Sequence, residues 1–541
     1  MRTRMVFTVV AVSFIMFSDA VLASVVLAQS AAQARLPAPP RVFLDTSYTP
    51  PSGRTITVAA GGDLQAALNS AQPGDVVALA PGATFQGNFT LPKKSGAGWI
   101  ILRSAAPDDK LPAPGTRVAP AFASAMPKIV TPNSGAALLT APGAHHYRVI
   151  GVEFAAAPTV QMLYSIVAFG ADQTSDADTP HNLILDRCYV HGHAGLGSRR
   201  GVLLNSATSA VIDSHVSEIH AAGYDAQAIL GYNGPGPFKI ANNFLEGAAE
   251  NIMFGGADPA IRDLVPSDIE IRGNHIFKPL TWRQGHPSFA GVQWTIKNLV
   301  EFKNAQRVLV EGNLLENNVG PALLVTPRNQ GGSAPWSVVQ DVLFRSNVIR
   351  NAGSGFVALS TDNEKPSQPV KRIAIVNNLW LGLTGTFFGM SAGPGGFEDF
   401  IVDHNTAIPG GRSTYYVESS TPPAALRFRF TNNLVGFGAY GVTFPTADPG
   451  LAKFLPEATI TKNALVSLAD TADGQGAVRN RPPYLNQAMY TSFPNAAAAG
   501  INDDGTLSPK SPNRRAGTDG RDIGVDFDEL KRVGSDQFLR K

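Results

Sequence analysis

VLVEGNLL, Val308 to Leu315, decides the fold of this chain. It joins an apolar-x-apolar strand to a second apolar pair through two turn-forming residues, and the phrase recurs. It reads LILDRCYV from Leu183, VIDSHVSEI from Val211, FKIANNFL from Phe238 and IEIRGNHIF from Ile269 before it. After it come VLFRSNVI from Val342, IAIVNNLW from Ile373, FIVDHNTAI from Phe400 and FRFTNNLV from Phe428. Aligned in this way, the second turn position is held by Cys188, His215, Asn243, Asn274, Asn313, Asn347, Asn378, Asn405 and Asn433. A period of about 30 residues built from short strands, with no helical pattern between them, predicts a solenoid whose coils stack strand on strand. Alternate strand residues point inward. Asn suits the bend because it tolerates a left-handed backbone and offers an amide to the next coil. The expected fold is all-β, a right-handed parallel β-helix. The rival, a propeller or sandwich of antiparallel strands, favours Asn-Gly or Asp-Gly hairpins, whereas each coil here has one constant bend and two connections of variable length.

Working outward, Gly62-Asp63 followed by LQAALNSA places Leu64, Ala67 and Leu68 on one helical face, which predicts a short helix capping the open end of the stack. Before it, Arg2 and Arg4 precede an apolar run from Val6 to Phe17 and then small residues, the grammar of a signal peptide over 1–28 and of a secreted or periplasmic protein. The Ala/Pro-rich stretch 29–54 reads as a linker, 55–450 as the β-helix, and 451–541, where the period fades, as a C-terminal cap or tail. The composition agrees with a turn-rich β protein. Of 541 residues only 16% are charged, and Gly (53) with Pro (40) make about one residue in six. A net charge of +2 gives no field of the kind nucleic-acid binders carry. The single cysteine, Cys188, rules out an internal disulfide and a Cys-rich zinc site. A monomer without stable membrane insertion is expected.

The segment ITVAAGGDLQAALNSAQPGDVVALAPGATFQGNFTL, from Ile56 to Leu91, resembles the opening coil of pectin-lyase-like β-helix proteins, particularly the alginate lyase and chondroitinase B group. The Asn column is similar to the asparagine ladder of pectate lyases. The resemblance spans most of 55–445 and implies the architecture. Members include polysaccharide lyases, glycoside hydrolases, epimerases and non-catalytic surface proteins, and the fold does not choose among them.

The strand preceding each connection to the Asn-bearing strand also aligns: VLLNS at Val202, IMFGG at Ile252, VEFKN at Val300, LLVTP at Leu323 and VALST at Val357. The longest loops adjoin this face. In VEFKN, Val300 and Phe302 are expected inward and Glu301 and Lys303 outward. Around them the sequence offers Lys278, Trp282, Arg283, His286, Lys297, Arg328, Asn329, Gln330 and Trp336. Aromatic faces stack on sugars and Arg or Lys pair with carboxylates, so an acidic polysaccharide is the expected partner. A lyase on a uronic acid must remove the proton beside the carboxyl group, neutralise that carboxylate and protonate the leaving oxygen. Lys303 is the candidate base, Arg328 the candidate partner of the carboxylate or of the leaving group, and Glu301 with Asn298 or Asn304 the candidate Ca²⁺ ligands. In lyases of the resembled group a Lys and an Arg act over a Ca²⁺ held by carboxylates; here the strand carries a single acid, Glu301. The clustered Asp residues of a polygalacturonase-type hydrolase are missing. A second cluster, His191, His193, Arg199, Arg200, His215, His220 and Asp225, is a candidate metal site. A non-catalytic binding solenoid is the alternative to an enzyme.

Overall fold

The computed structural model describes residues 34–408, 411–419, 421–444, 451–466 and 489–540. The signal-peptide reading falls outside the described residues. Every strand ladder is parallel, and each coil contributes to three faces. The first sheet contains strands such as Ser267–Arg272, Ala305–Glu311 and Val339–Arg345. The second contains short strands such as His275–Phe277 and Leu379–Leu381. The third contains Arg200–Leu204, Gln227–Gly231, Glu250–Phe254 and Asn298–Phe302. Leu314–Val325 and Val348–Leu359 each run twelve residues through both the second and third faces, so these two join into one continuous sheet. The chain is a parallel β-helix.

Inward positions stack in columns. Phe238, Ile269, Val308, Val342, Ile373 and Phe400 are successive partners on the first sheet, and all are buried in one core. Val202, Ile229, Ile252, Val300, Leu323 and Phe356 form the equivalent column on the third. Each such side chain contributes roughly 1.5–3 kcal/mol by leaving water. Leu64–Ser70 forms the expected helix, N-capped by Asp63, whose side chain accepts from the Ala66 N–H. Its Leu64, Ala67 and Leu68 close the end of the core.

The Asn column is a continuous ladder between the first and second sheets. The backbone N–H and the Nδ2 of Asn313 both donate to Asn347 Oδ1, at 3.0 and 2.9 Å, and the pattern repeats from Asn243 to Asn463. Two details of the sequence reading change. In the second coil the ladder residue is Ser214, not His215: the Cys188 N–H donates to Ser214 Oγ and the Ser214 N–H to Asn243 Oδ1. A hydroxyl replaces the amide there, and the slip arose because Asp213-Ser214 has the same turn character as the Asn pairs. The left-handed residue is also not the ladder Asn but the one before it, including Asn242, Gly273, Gly312, Asn377 and Asn432. The ladder residue itself remains free to hold the amide in plane with its neighbours.

The first and the last described segments lie along the outside of the solenoid. Residues 34–47, read from composition as linker, cross the first sheet from its C-terminal coils toward its N-terminal ones. The Arg35, Ala38 and Arg41 N–H groups donate to Asp399, Asp341 and Asp268 at 2.8–3.0 Å, and Lys239 and Arg148 donate to the carbonyls of Leu44, Thr46 and Ser47. An extended Ala/Pro chain has free backbone groups, and a row of coil-edge carboxylates takes them. The stack also continues past 450 through Thr459–Thr461 and Asn463–Val466 to Tyr490–Phe493. Beyond it, residues 495–540 return along the second sheet instead of closing the last coil. That sheet's outer column, Leu314, Val348, Leu379, Thr406, Leu434 and Ala464, is largely apolar. Ile501 and Ile523 pack on Leu434 and Ala464, Val525 and Leu530 on Leu379, and Phe538 on Leu314 and Val348.

Candidate functional site

Strand parity determines the site on the third sheet. Val300 and Phe302 are inside, so Glu301 and Lys303 project outward. Glu301 is nevertheless only 2% exposed, because its in-register neighbours on the adjoining coils are Met253 and Leu324. Its two oxygens face Lys303 Nζ, at 3.4 Å, and Asn298 Nδ2, at 2.9 Å. The Arg328 N–H donates to the Lys303 carbonyl at 2.9 Å, which sets Arg328 on the next coil beside Lys303. The Arg328 guanidinium pairs with Asp362 at 3.2 Å. Glu301 and Lys303 thus pair on one outer face, with the Arg328 backbone beside Lys303 and its guanidinium turned to Asp362.

A second outward column carries two groups that the sequence reading did not include, Gln227 and Glu250. Arg200, Gln227, Glu250 and Asn298 are successive partners across four coils. Glu250 is fully buried; one oxygen accepts from Gln227 Nε2 at 2.7 Å and the other has no hydrogen-bond partner. Burial, then the neighbouring carboxylates of Glu301 and Asp225, push its pKa well above the ordinary range. Lys297 bridges the edge of the cluster, 2.6 Å from Asp225 and 4.0 Å from Glu250. Burial works against its charge, but the Asp225 hydrogen bond and Glu250 outweigh that and raise its pKa. Glu250 and Gln227 were legible in principle. The aligned strands at Val202 and Ile252 are 50 residues apart, nearly two periods, and the strand Gln227–Gly231 fills that gap. The same alignment also slips at its end, since Leu323 pairs with Phe356, not Val357.

The remaining candidates separate from this cluster. Lys278 is buried, with its Nζ donating to the carbonyls of Gly247, Ala248 and Ala249 and to Asn251 Oδ1 at 2.5–3.3 Å. Burial lowers its pKa, and the nearby Glu250 works against that. It pins a bend of the chain and has no free donor for a ligand. Trp282 is also buried and meets His220 edge-on at 5.1 Å, while Trp294 stacks on that imidazole at 3.9 Å. This wedge floors a cavity of about 630 Å³ whose rim includes exposed Arg283 and Gln284. His286 bonds to Ser288 within its own loop. Asn329 holds the Pro366 carbonyl and the Ala334 N–H, Trp336 donates to the Leu264 carbonyl, and the exposed Gln330 accepts from Lys365 through its carbonyl. These three build the loop around Arg328. Lys278→Met should lower stability by roughly 2 kcal/mol, since the freed carbonyls lose their donors while the burial of a charge is relieved. An unchanged denaturation midpoint would return Lys278 to the ligand-binding side chains.

A Ca²⁺ shared by Glu301 and Asn304 does not fit this arrangement. The Asn304 amide donates to the Leu264 carbonyl at 3.1 Å and accepts from the Val338 N–H at 3.3 Å, so both its atoms join loops rather than face Glu301. Among the described residues no three His, Cys, Asp or Glu side chains are grouped to hold a metal ion. The second cluster is dispersed as well. His191 bonds to Glu153 and the Gly192 carbonyl, His215 stacks on Phe244, and His220 sits under Trp294.

No protein-family model matches this chain, and no curated protein matches it in sequence. Solved structures with a similar course of chain include an alginate lyase from Paenibacillus sp. str. FPU-7, 14% identical, with a TM-score of 0.33 over 59% of this chain and 97% of that one. A PL6 family alginate lyase is 14% identical, with a TM-score of 0.46 over 89% of this chain but only 58% of its own length. The catalytic domain of a GH87 α-1,3-glucanase is 12% identical, with a TM-score of 0.44 over 79% of this chain and 70% of that one. At these identities the chemistry rests on the side chains themselves.

Proposed function

We propose that this is an exported carbohydrate-active protein that cleaves a uronic-acid polysaccharide by β-elimination at Lys303. The observation that carries this reading is the pairing of Lys303 with Glu301 on an outer face of the coils, with the Arg328 backbone bonded to Lys303 from the next coil and buried Glu250 beside them. A bound uronate displaces Asp362 from Arg328, so that the guanidinium neutralises the sugar carboxylate. Lys303 Nζ takes the C5 proton, the C5–H pair becomes the C4=C5 double bond, and the C4–O bond breaks. Solvent returns a proton to the departing oxygen. Glu301, fixed by Asn298, holds the Lys303 side chain in place before the polymer arrives.

Incubation with alginate, pectate and chondroitin should release chain ends that absorb in the ultraviolet. No such ends from any acidic polymer, with or without added Ca²⁺, would overturn the reading. A binding solenoid without turnover is the second reading, favoured by the pairing of both candidate catalytic cations with carboxylates; retained polymer affinity without product would select it.

A further inference from the structure

Arg200 opens a strand of the third sheet before the Lys303 coil, Arg199 immediately precedes it, and neither has a role in the steps above. Arg200 starts the column that continues through Gln227 and Glu250 to Asn298, so at about 4.8 Å per coil it lies roughly 14 Å along the axis from the strand that leads into Lys303. Its Nε is buried without a partner, and among the described residues its side chain makes no hydrogen bond or ion pair. Most partly buried arginines of this solenoid are paired, as Arg307 is with Asp268 and Arg372 with Asp341. Arg199 is held differently. Its guanidinium lies 5.6 Å from the ring centre of Tyr164 and 5.3 Å from that of Tyr224, with one long bond from Nε to the Asp225 carbonyl. Contact with aromatic rings leaves the in-plane Nη donors of a guanidinium unused. Both rings are more than half exposed, 54% and 55%, which is uncommon for large aromatic side chains in this chain.

We infer that Arg199 and Arg200 form a subsite for the carboxylate of a second uronate unit, with Tyr164 and Tyr224 as flanking surfaces for the sugar rings. Among the described residues neither guanidinium is in an ion pair, Asp172 acting on Arg200 only at longer range, and a carboxylate matches their planar donor geometry. Exposed tyrosines give a sugar an apolar face with a polar edge. The polymer then runs along the solenoid axis, its reacting unit at Lys303 and a unit nearer the N-terminal coils over the arginines. The inference rests on the acidic-polysaccharide reading of the Lys303 site.

Calorimetric titration of the full chain with oligomannuronate and oligogalacturonate, as disaccharides and as octasaccharides, tests it. Arg199→Gln/Arg200→Gln should weaken octasaccharide binding 10- to 100-fold, leave disaccharide binding within about threefold, and have no effect on a carboxyl-reduced octasaccharide. Tyr224→Ala, a change at an exposed side chain, should weaken the octasaccharide alone by a smaller factor. If the parent binds octauronates and the double variant binds them equally well, the subsite is wrong while the reading of Lys303 stands. If the loss is the same for disaccharides or for the carboxyl-reduced oligomer, the arginines act on the fold and not on a sugar carboxylate, and the inference falls. If the parent binds no acidic oligomer, both fall together.

Discussion

Lys303→Arg should abolish nearly all release of unsaturated chain ends, by roughly 10²- to 10⁴-fold, while the melting temperature and polymer affinity stay close to those of the parent. Arginine keeps the positive charge against Glu301, so the buried carboxylate retains its partner. It cannot give up its proton near neutral pH, and so cannot serve as base. Lys303→Ala should lose as much turnover but also leave Glu301 with Asn298 alone, and some stability will be lost with it. The pair of variants therefore separates proton transfer from structural support. The expected loss corresponds to about 3–5 kcal/mol of barrier, well above the ~1 kcal/mol that an exposed ion pair contributes. Turnover of the arginine variant within a few-fold of the parent would exclude Lys303 as the base and turn attention to Lys297, the other partly exposed ammonium of the cluster.

Asn313→Leu should be the most destabilising single change in the solenoid that leaves volume nearly constant. Asn313 Oδ1 accepts both the backbone N–H and the Nδ2 of Asn274, at 2.9 and 3.0 Å, and its own Nδ2 donates to the Ile271 carbonyl at 3.0 Å. The site is fully buried, and water cannot replace these bonds. Stranding three polar groups at about 1 kcal/mol or more each gives a loss of roughly 3 kcal/mol or greater. The backbone conformation does not add to it, because the left-handed residue is Gly312, with φ of 69°. The same substitution at exposed Asn363 should stay within about 0.5 kcal/mol. Chemical denaturation of both variants measures the difference; equal midpoints would show that the ladder bonds contribute nothing net.

The candidate site was legible only where strand parity governs it. VEFKN shows which side chains leave the core, and Glu301 and Lys303 do leave it. Parity does not show what lies above them. Glu301 is buried because Met253 and Leu324, 48 and 23 residues away in sequence, are its neighbours in register. Glu250 belongs to the cluster through the same kind of register. Lys278 and Trp282 look like ligand-binding residues in a polar loop, yet the loop folds inward, and carbonyls and an imidazole take them.

The sequence by itself determined the repeat, the inward columns, the Asn ladder and the capping helix. Each of these follows from a local period or a residue type that a parallel coil requires at every turn. Only the tertiary structure decided the course of the first and last described segments and the membership of the site. Arg35 meets Asp399, 364 residues away, and Phe538 covers Leu314 and Val348. Arg200, Gln227, Glu250 and Asn298 become one column only once coils of unequal length are stacked. The physical reason is that a solenoid repeats its backbone but not its loops, so the period locates each strand while the lateral packing of the outer face is set by distances that no local pattern encodes.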